Sequence, residues 1–458
     1  MALVAGFRGA EDSAAITPAA KLESDVRACK LCLVQNIERT SGLDAPTLRL
    51  TGHSGELYAV RFSVDGRNVA TAGADRSVLV YNVYGECRSW LELKGHKNAI
   101  LDLAWSDDGT KMTHARVHHR SLLAAFALSC LVRCGVPHRR LYTASADESL
   151  AIWDVETGVR VKKLKGHLSI VNAVSVFGAR TVSPVPVYGH AAAAAAAAEA
   201  MPGSAGTAGK VPALMEFAPA ESEQATSTAN KNANNGVKSH LFSTGSSSYS
   251  TKFLLASGGD DGTSRVWDLR TRKCVLKAQH HYQILSVALD GVGCRVFAGS
   301  LDNTIREYDL RGGMREASVL EGHQDSITGL DVHPEGTHLL SNGMDHSVRL
   351  WDIQPFLAGQ KRQKAVLRGA LHNFEKQLLR VHFSCDGCYA VAGSSDRNVC
   401  IWDLETIPPK EQGGDSTRNL VYRLPGHTGS VNDASLHPLE PIVASVSSDK
   451  TCLMGELS

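Results

Sequence analysis

Three groups of side chains in this 458-residue chain hold the ingredients of acyl-transfer chemistry. His96, Thr143, Asp147 and Trp153 form one; His167, Ser257, Asp261 and Trp267 a second; His323, Ser341, Asp345 and Trp351 a third. A histidine with a hydroxyl on one side and a carboxylate on the other is the arrangement that activates a serine nucleophile. A second chemistry is suggested by Cys29-x-x-Cys32 and Cys385-x-x-Cys388, which paired in space would have the ligands for zinc. Both readings are weaker than a structural one. Catalysis needs a single centre, whereas the His–hydroxyl–Asp group recurs along the chain. Ser384 to Gly387 falls where a hairpin turn is expected, so cysteines there need no metal. The expectation is a protein without catalytic residues, cofactor, metal or small-molecule substrate.

The elements that must position these groups are repeated. Gly-His pairs occur at Gly52-His53, Gly95-His96, Gly166-His167, Gly322-His323 and Gly426-His427. Trp-Asp or a close variant follows at Tyr81-Asn82, Trp153-Asp154, Trp267-Asp268, Tyr308-Asp309, Trp351-Asp352 and Trp402-Asp403. Short alternating runs such as Ser347-Val348-Arg349-Leu350, bounded by Gly, Asn, Asp or Ser, read as strands joined by hairpins. His53 to Tyr81, His280 to Tyr308 and His323 to Trp351 each span 28 residues. Counting 28 back from Trp402 reaches Phe374, a lost histidine, and 28 forward from His427 reaches Gly455, a lost tryptophan. His96 to Trp153 spans 57 and His167 to Trp267 spans 100, so those two repeats carry insertions of 29 and 72 residues. Asp75, Asp147, Asp261, Asp302, Asp345, Asp396 and Asp449 each lie six residues before the Trp position. Without the insertions and the first 47 residues, 310 residues remain, about 44 per repeat, within the roughly 40–45 of a WD-propeller blade.

The pattern predicts an all-β, seven-bladed WD-repeat β-propeller over residues 47–458. A flexible tail is expected over 1–46, with a short helix near Leu22 to Asn36, and loop insertions at about 112–140 and 179–251. The last repeat is one strand short. Thr47-Leu48-Arg49-Leu50 can supply that strand and close the ring, leaving no long sheet edge open. Resemblance to WD repeats implies that the three His–hydroxyl–Asp–Trp groups are buried hydrogen-bonded sets that hold each blade together. Both insertions fall between the first and second strands of their blades, hence on one face. The longer one holds eight consecutive alanines, Ala191–Ala198, and a Gly/Ser/Thr/Asn-rich run without the apolar content for a core. The shorter one, Met112–Arg140, is basic and partly apolar. It reads either as a partner-docking helix or, as the clean join of Gly109-Thr110-Lys111 to Leu141-Tyr142-Thr143 favours, as an inert or spuriously retained segment.

Composition bounds the partners. A formal net charge of +1 gives no bulk drive toward nucleic acid or anionic membrane, leaving local basic patches as the exception. The eleven cysteines show no disulfide framework, and Cys87, Cys274, Cys294, Cys400 and Cys452 lie in or beside apolar strand-like runs. Arg8, Glu11 and Asp12 interrupt any secretory signal, so a reducing compartment is expected. The apolar run Leu122 to Val132 is eleven residues, short of the roughly 20 that cross a bilayer.

A propeller alone does not specify function. The wording of the repeats does more. Tyr81-Asn-Val-Tyr-Gly-Glu-Cys87, Arg160-Val-Lys-Lys-Leu-Lys-Gly-His167 and Leu339-Leu-Ser-Asn-Gly-Met-Asp345 running on to Trp351-Asp-Ile-Gln-Pro-Phe356 resemble the forty-kilodalton WD-repeat subunits of the U5 small nuclear ribonucleoprotein. Two further stretches depart from the general WD pattern and resemble the same family. They are Leu371-His-Asn-Phe-Glu-Lys-Gln-Leu-Leu-Arg380 and Ser447-Ser-Asp-Lys-Thr-Cys-Leu-Met-Gly-Glu-Leu457. The likeness runs from about Leu48 to the C-terminus and excludes the tail and both insertions. It implies a nuclear, non-catalytic scaffold that binds protein subunits of the U5 particle in pre-mRNA splicing, with RNA contact at most indirect or local and no membrane. Leu371, Phe374, Glu375 and Lys376 combine apolar and charged side chains as interface hot spots do and are the expected partner contact. The alternative is a substrate receptor of a cullin-type ubiquitin ligase, because Trp267-Asp268-Leu269-Arg270 resembles the WDxR box of such receptors.

Overall fold

The computed structural model describes residues 41–107, 139–176, 253–290, 295–355, 362–406 and 419–457. Residues 1–40 of the expected tail with its helix, Cys29 and Cys32, Leu122 to Val132 and nearly all of both insertions lie outside the described residues. Residues 41–46, counted with the tail by the sequence, are tied down, the Ser41 amide donating to Glu456 at 2.9 Å and Leu43 being buried.

The described residues form 28 strands in seven four-stranded antiparallel sheets. β1 (Thr47–Leu50) is followed by the first full blade, β2 (Leu57–Phe62), β3 (Asn68–Gly73), β4 (Ser77–Asn82) and β5 (Ser89–Lys94). The second holds β6 (Ile100–Asp107), β7 (Arg139–Ser145), β8 (Ser149–Asp154) and β9 (Arg160–Lys165). The third holds β10 (Val171–Val176), β11 (Leu254–Gly259), β12 (Thr263–Asp268) and β13 (Lys273–Gln279). The fourth runs through β14 (Ile284–Leu289), β15 (Arg295–Ser300), β16 (Ile305–Asp309) and β17 (Arg315–Leu320). The fifth runs through β18 (Ile327–Val332), β19 (His338–Gly343), β20 (Ser347–Asp352) and β21 (Gln363–Leu367). The sixth comprises β22 (Val381–Phe383), β23 (Tyr389–Gly393), β24 (Val399–Asp403) and β25 (Leu420–Leu424). The seventh takes β26 (Val431–Leu436), β27 (Ile442–Ser447) and β28 (Cys452–Glu456) from the C-terminus and β1 from the N-terminal side.

The inner strands pack in a closed circle, β2 on β6, β6 on β10, and so on through β26 back to β2. Thr47 lies opposite Gly455, and Leu50 opposite Cys452, so the chain's two sides are zipped by a strand pair. The core sits between blades. Leu50, Leu57, Tyr81, Ile442 and Met454 share one apolar cluster across the seam, and Leu340, Val381, Phe383 and Trp402 share another between the fifth and sixth blades. An inner strand packed between neighbouring blades is shielded from water and mostly apolar, and all six residues of β14, Ser286 included, are buried.

Arg139 and Arg140, grouped with the shorter insertion by the spacing, are the first residues of β7, opposite Asp107 and Ser106. Because the strands alternate in direction, both insertions join at the end of the ring opposite the Gly-His loops.

The centre of the ring is polar and closely tied. Arg380 is buried, and its guanidinium donates to the carbonyls of Asn172 (2.5 Å), Leu285 (3.3 Å) and Thr328 (3.2 Å) on three neighbouring inner strands. Its own N–H donates to the carbonyl of Asn432 at 2.9 Å. Arg61 pairs with Asp433 and, at 3.5 Å, with Asp102. Asp433 accepts the Val60 amide, Asp102 that of Val174, and Asp331 that of Phe383, each reaching an inner strand of the next blade.

Candidate functional site

Each turn between the second and third strands of a blade places its aspartate before a residue in the left-handed region. These residues are Arg76, Glu148, Gly262, Asn303, His346, Arg397 and Lys450, with φ between 59° and 72°. Six of them are not glycine, so the turn must be stabilised. The aspartate carboxylate does so by accepting the N–H two residues on, at 3.2 Å for Ser77, 3.0 Å for Thr263, 3.1 Å for Thr304 and Ser347, 3.3 Å for Asn398 and 2.9 Å for Thr451. In the second blade Asp147 instead accepts the Ser149 hydroxyl, so a local turn contact accompanies the aspartate in all seven blades, including those that lack histidine or tryptophan.

In the second, third and fifth blades the aspartate also holds a histidine. His323 Nδ1 lies 3.0 Å from Asp345, its Nε2 lies 2.6 Å from Ser341 Oγ, and Trp351 Nε1 donates to the same Oγ at 2.8 Å. His167, Asp261, Ser257 and Trp267 repeat the arrangement at 3.1, 2.8 and 2.9 Å. His96, Asp147, Thr143 and Trp153 repeat it at 3.1, 2.6 and 3.2 Å. Burial pushes the His96 and His323 imidazoles below their ordinary range, only partly opposed by the neighbouring carboxylate. Burial would raise Asp345, yet His323, Ser347 and the Gln324 amide outweigh it and hold the carboxyl far below the usual range. A neutral imidazole beside an ionised aspartate fixes the donors: indole to hydroxyl, hydroxyl to Nε2, Nδ1–H to carboxylate. Thr143, Ser257 and Ser341 are fully buried, so no substrate reaches these oxygens.

The other blades vary the set. His53 bonds Asp75 (2.6 Å) and Thr71 (2.8 Å), while the Tyr81 hydroxyl donates to the Thr51 carbonyl. His427 bonds Asp449 (3.0 Å) and Ser445 (2.9 Å), and Gly455 occupies the tryptophan position opposite Val443. In the fourth blade Ala298 stands where Ser341 stands in the fifth, and the Tyr308 hydroxyl takes over, 2.9 Å from His280 Nε2. Gln279 precedes that histidine and lacks the positive φ of Gly52, Gly95, Gly322 and Gly426 (146° to 158°). His280 does not reach Asp302, which bonds Thr304 and Arg306 instead, and its Nδ1 is buried without a partner. These exceptions were readable: an alanine four residues before the turn aspartate, at Ala298 and Ala392, marks each blade that lacks the hydroxyl.

The sixth blade corrects the spacing argument. Phe374 does not occupy the histidine position. The glycine with the matching backbone is Gly369 (φ 133°), beside the ring of Trp402, so buried Ala370 replaces the histidine and the loop is four residues longer than in the fifth blade. Trp402 Nε1 donates to the Arg368 carbonyl. Ser394 anchors the lengthened loop by accepting the Leu371 amide at 2.9 Å. The tip is thrown outward: Phe374 is 99% exposed and Leu371 44% exposed, beside the exposed Glu375 and Lys376. Leu168, Tyr282 and Leu301 are also exposed on loops at this end of the ring.

Cys385 and Cys388 lie in the turn between β22 and β23, with Cys388 Sγ 3.1 Å from Glu405. Cys400 and Cys452 are buried, but Cys274 on outer strand β13 is exposed, contrary to the apolar run around it. Arg270 folds back on Asp268, with bonds of 3.2 and 3.1 Å, and stacks 5.6 Å from the Phe253 ring.

The family described as WD domain, G-beta repeat matches residues 45–82, 87–154, 233–268, 272–309, 314–352, 366–403 and 418–454. The chain is 32% identical over 93% of its length to the U5 small nuclear ribonucleoprotein 40 kDa protein of Dictyostelium discoideum, covering 88% of that protein. It is 33% identical to the Homo sapiens protein of the same description, over 92% of this chain and 86% of that one. To the pre-mRNA-splicing factor cwf17 of Schizosaccharomyces pombe it is 31% identical, over 92% and 91%. With seven blades in one closed ring and this likeness along nearly its whole length, the chain belongs to the WD-repeat family of U5 small nuclear ribonucleoprotein 40 kDa proteins.

Proposed function

We propose that this chain is a non-catalytic protein-interaction scaffold of the U5 small nuclear ribonucleoprotein, acting in the nucleus in pre-mRNA splicing. The observation that carries it is the likeness to splicing proteins over nine-tenths of the chain, through all seven blades. The burial of the side chains in every complete His–hydroxyl–Asp–Trp group supports a role in holding blades rather than in chemistry. The ubiquitin-ligase reading is not favoured: the relatives that span the chain are splicing proteins, and Arg270 is engaged by its own Asp268.

The partner surface is the end of the ring that carries the Gly-His loops, centred on Leu371, Phe374, Glu375 and Lys376. A phenylalanine held almost wholly in solvent on an anchored loop supports that placement. Affinity purification of the full chain from nuclear extract, with mass spectrometry, tests the reading. U5 proteins are the expected companions; recovery of ligase adaptors without them overturns it.

A further inference from the structure

The chain is nearly neutral, but its cations are not evenly spread. On the outer strands the charges of β5, β17, β21, β25 and β1 come to zero or +1 each. β9 (Arg-Val-Lys-Lys-Leu-Lys) carries +4, and β13 in the next blade +2, with no acidic residue in either. Beside β9 lies a hollow bounded by Gly95, Lys97 and Asn98, by the turn Asp147–Ser149, and by Arg160, Lys163 and Lys165. Two of its cations are fixed in place. Arg160 donates to the Gly95 carbonyl at 2.8 Å with its guanidinium 5.9 Å from the Trp153 ring, and Lys163 reaches Asp147 at 2.9 Å. Among the described residues, the side chains of Lys97 and Lys165 make no ion pair and are exposed. Four cations thus face two carboxylates, one of which, Asp147, already accepts His96, Lys163 and the Lys97 amide.

We infer that this hollow and the outer strand β9 bind the phosphate backbone of single-stranded RNA. The inference deepens the proposed function and rests on it for the presence of RNA. The surplus is mostly lysine, a point charge suited to phosphate contacts that carry no sequence information. Lys163 and Lys165, two positions apart on one face of a strand, are separated by roughly 6.6 Å, so one phosphodiester chain can meet both. Its charge continues from nucleotide to nucleotide and can follow the basic tract from β9 toward β13. An acidic peptide added along the edge of β9 would end with its blade.

The test uses the purified full chain and a fluorescein-labelled 20-nucleotide RNA, with anisotropy between 50 and 200 mM salt. Four phosphate contacts predict a roughly 50-fold loss of affinity across that range. Lys97→Glu/Lys165→Glu is expected to weaken binding at least 10-fold and to flatten the salt dependence to about 7-fold. Lys364→Glu on the outer strand β21 of the fifth blade should change neither. Wild-type protein that does not bind the RNA, or a double variant that binds it as wild type does, overturns the inference. So does a double variant that keeps RNA binding while losing a polyglutamate peptide, which would assign the hollow to acidic protein. Recovery of U5 proteins from extract is read separately with the same variant. Lost RNA affinity with U5 proteins retained supports the inference; failure of the wild type to recover U5 proteins counts against the proposed function alone.

Discussion

The Tyr308 hydroxyl lies 2.9 Å from His280 Nε2, on the bond that a serine or threonine makes in the second, third and fifth blades. The two residues belong to the same blade, 28 positions apart, and Ala298 stands where the hydroxyl would otherwise be.

This substitution of one donor for another is testable as a cycle. Tyr308→Phe leaves His280 Nε2 buried with no strong partner and is expected to cost about 1–3 kcal/mol. Adding Ala298→Ser to that variant should recover at least half of the loss in urea unfolding. Strict additivity of the two single effects would show that the two hydroxyls are not equivalent.

Burial, with Arg306 beside it, pushes His280 down to about 4. The imidazole is therefore neutral when folded and takes up a proton near 6.5 when unfolded. Its stability contribution is complete above that value and is lost progressively as the pH falls from 6.5 to about 4. Between pH 7.5 and 5 the wild type should lose about 2 kcal/mol more than His280→Gln. Parallel losses in urea titrations of the two proteins would exclude this origin.

Arg380 joins three inner strands through its guanidinium and a fourth through its amide. Arg380→Met strips the donors from three carbonyls and should destabilise the ring by about 2–4 kcal/mol. Hydrogen exchange locates the effect: amides of β10, β14 and β18 should lose protection before those of β2. Unchanged exchange there would show that burying the charge costs as much as its bonds return.

Closure depends on β1. Removing residues 1–50 takes away the strand opposite β28 and the buried Leu50, uncovering Cys452 and Met454. The exposed edge is expected to drive self-association and a lower Tm. A monomer with the full-length Tm on size-exclusion and scanning calorimetry would contradict that.

Phe374 stands almost wholly in solvent. Phe374→Ala should leave stability within about 0.5 kcal/mol of wild type yet reduce co-purification of U5 proteins. Recovery equal to the wild type in a quantitative pull-down removes the loop from the partner surface.

The repeat was legible because each aspartate turn is a local device, complete within a few residues, and local devices keep a fixed spacing. Seven such turns dictated seven blades, and Thr47–Leu50, with leucine at alternate positions ahead of the first Gly-His pair, is the strand that pairs with β28 and closes the ring. The spacing placed Phe374 in a histidine's seat because counting assumes loops of one length. Only the backbone of Gly369, set by packing against Trp402, showed that Ala370 sits there and that the four extra residues lift Phe374 into solvent. The same holds for the detachment of His280 from Asp302 and for the convergence of Arg380 on Asn172, Leu285 and Thr328. Sequence periodicity determines which residues recur. Which of them touch is decided where strands distant in the chain meet at the centre of the ring, and spacing along one blade carries no record of that.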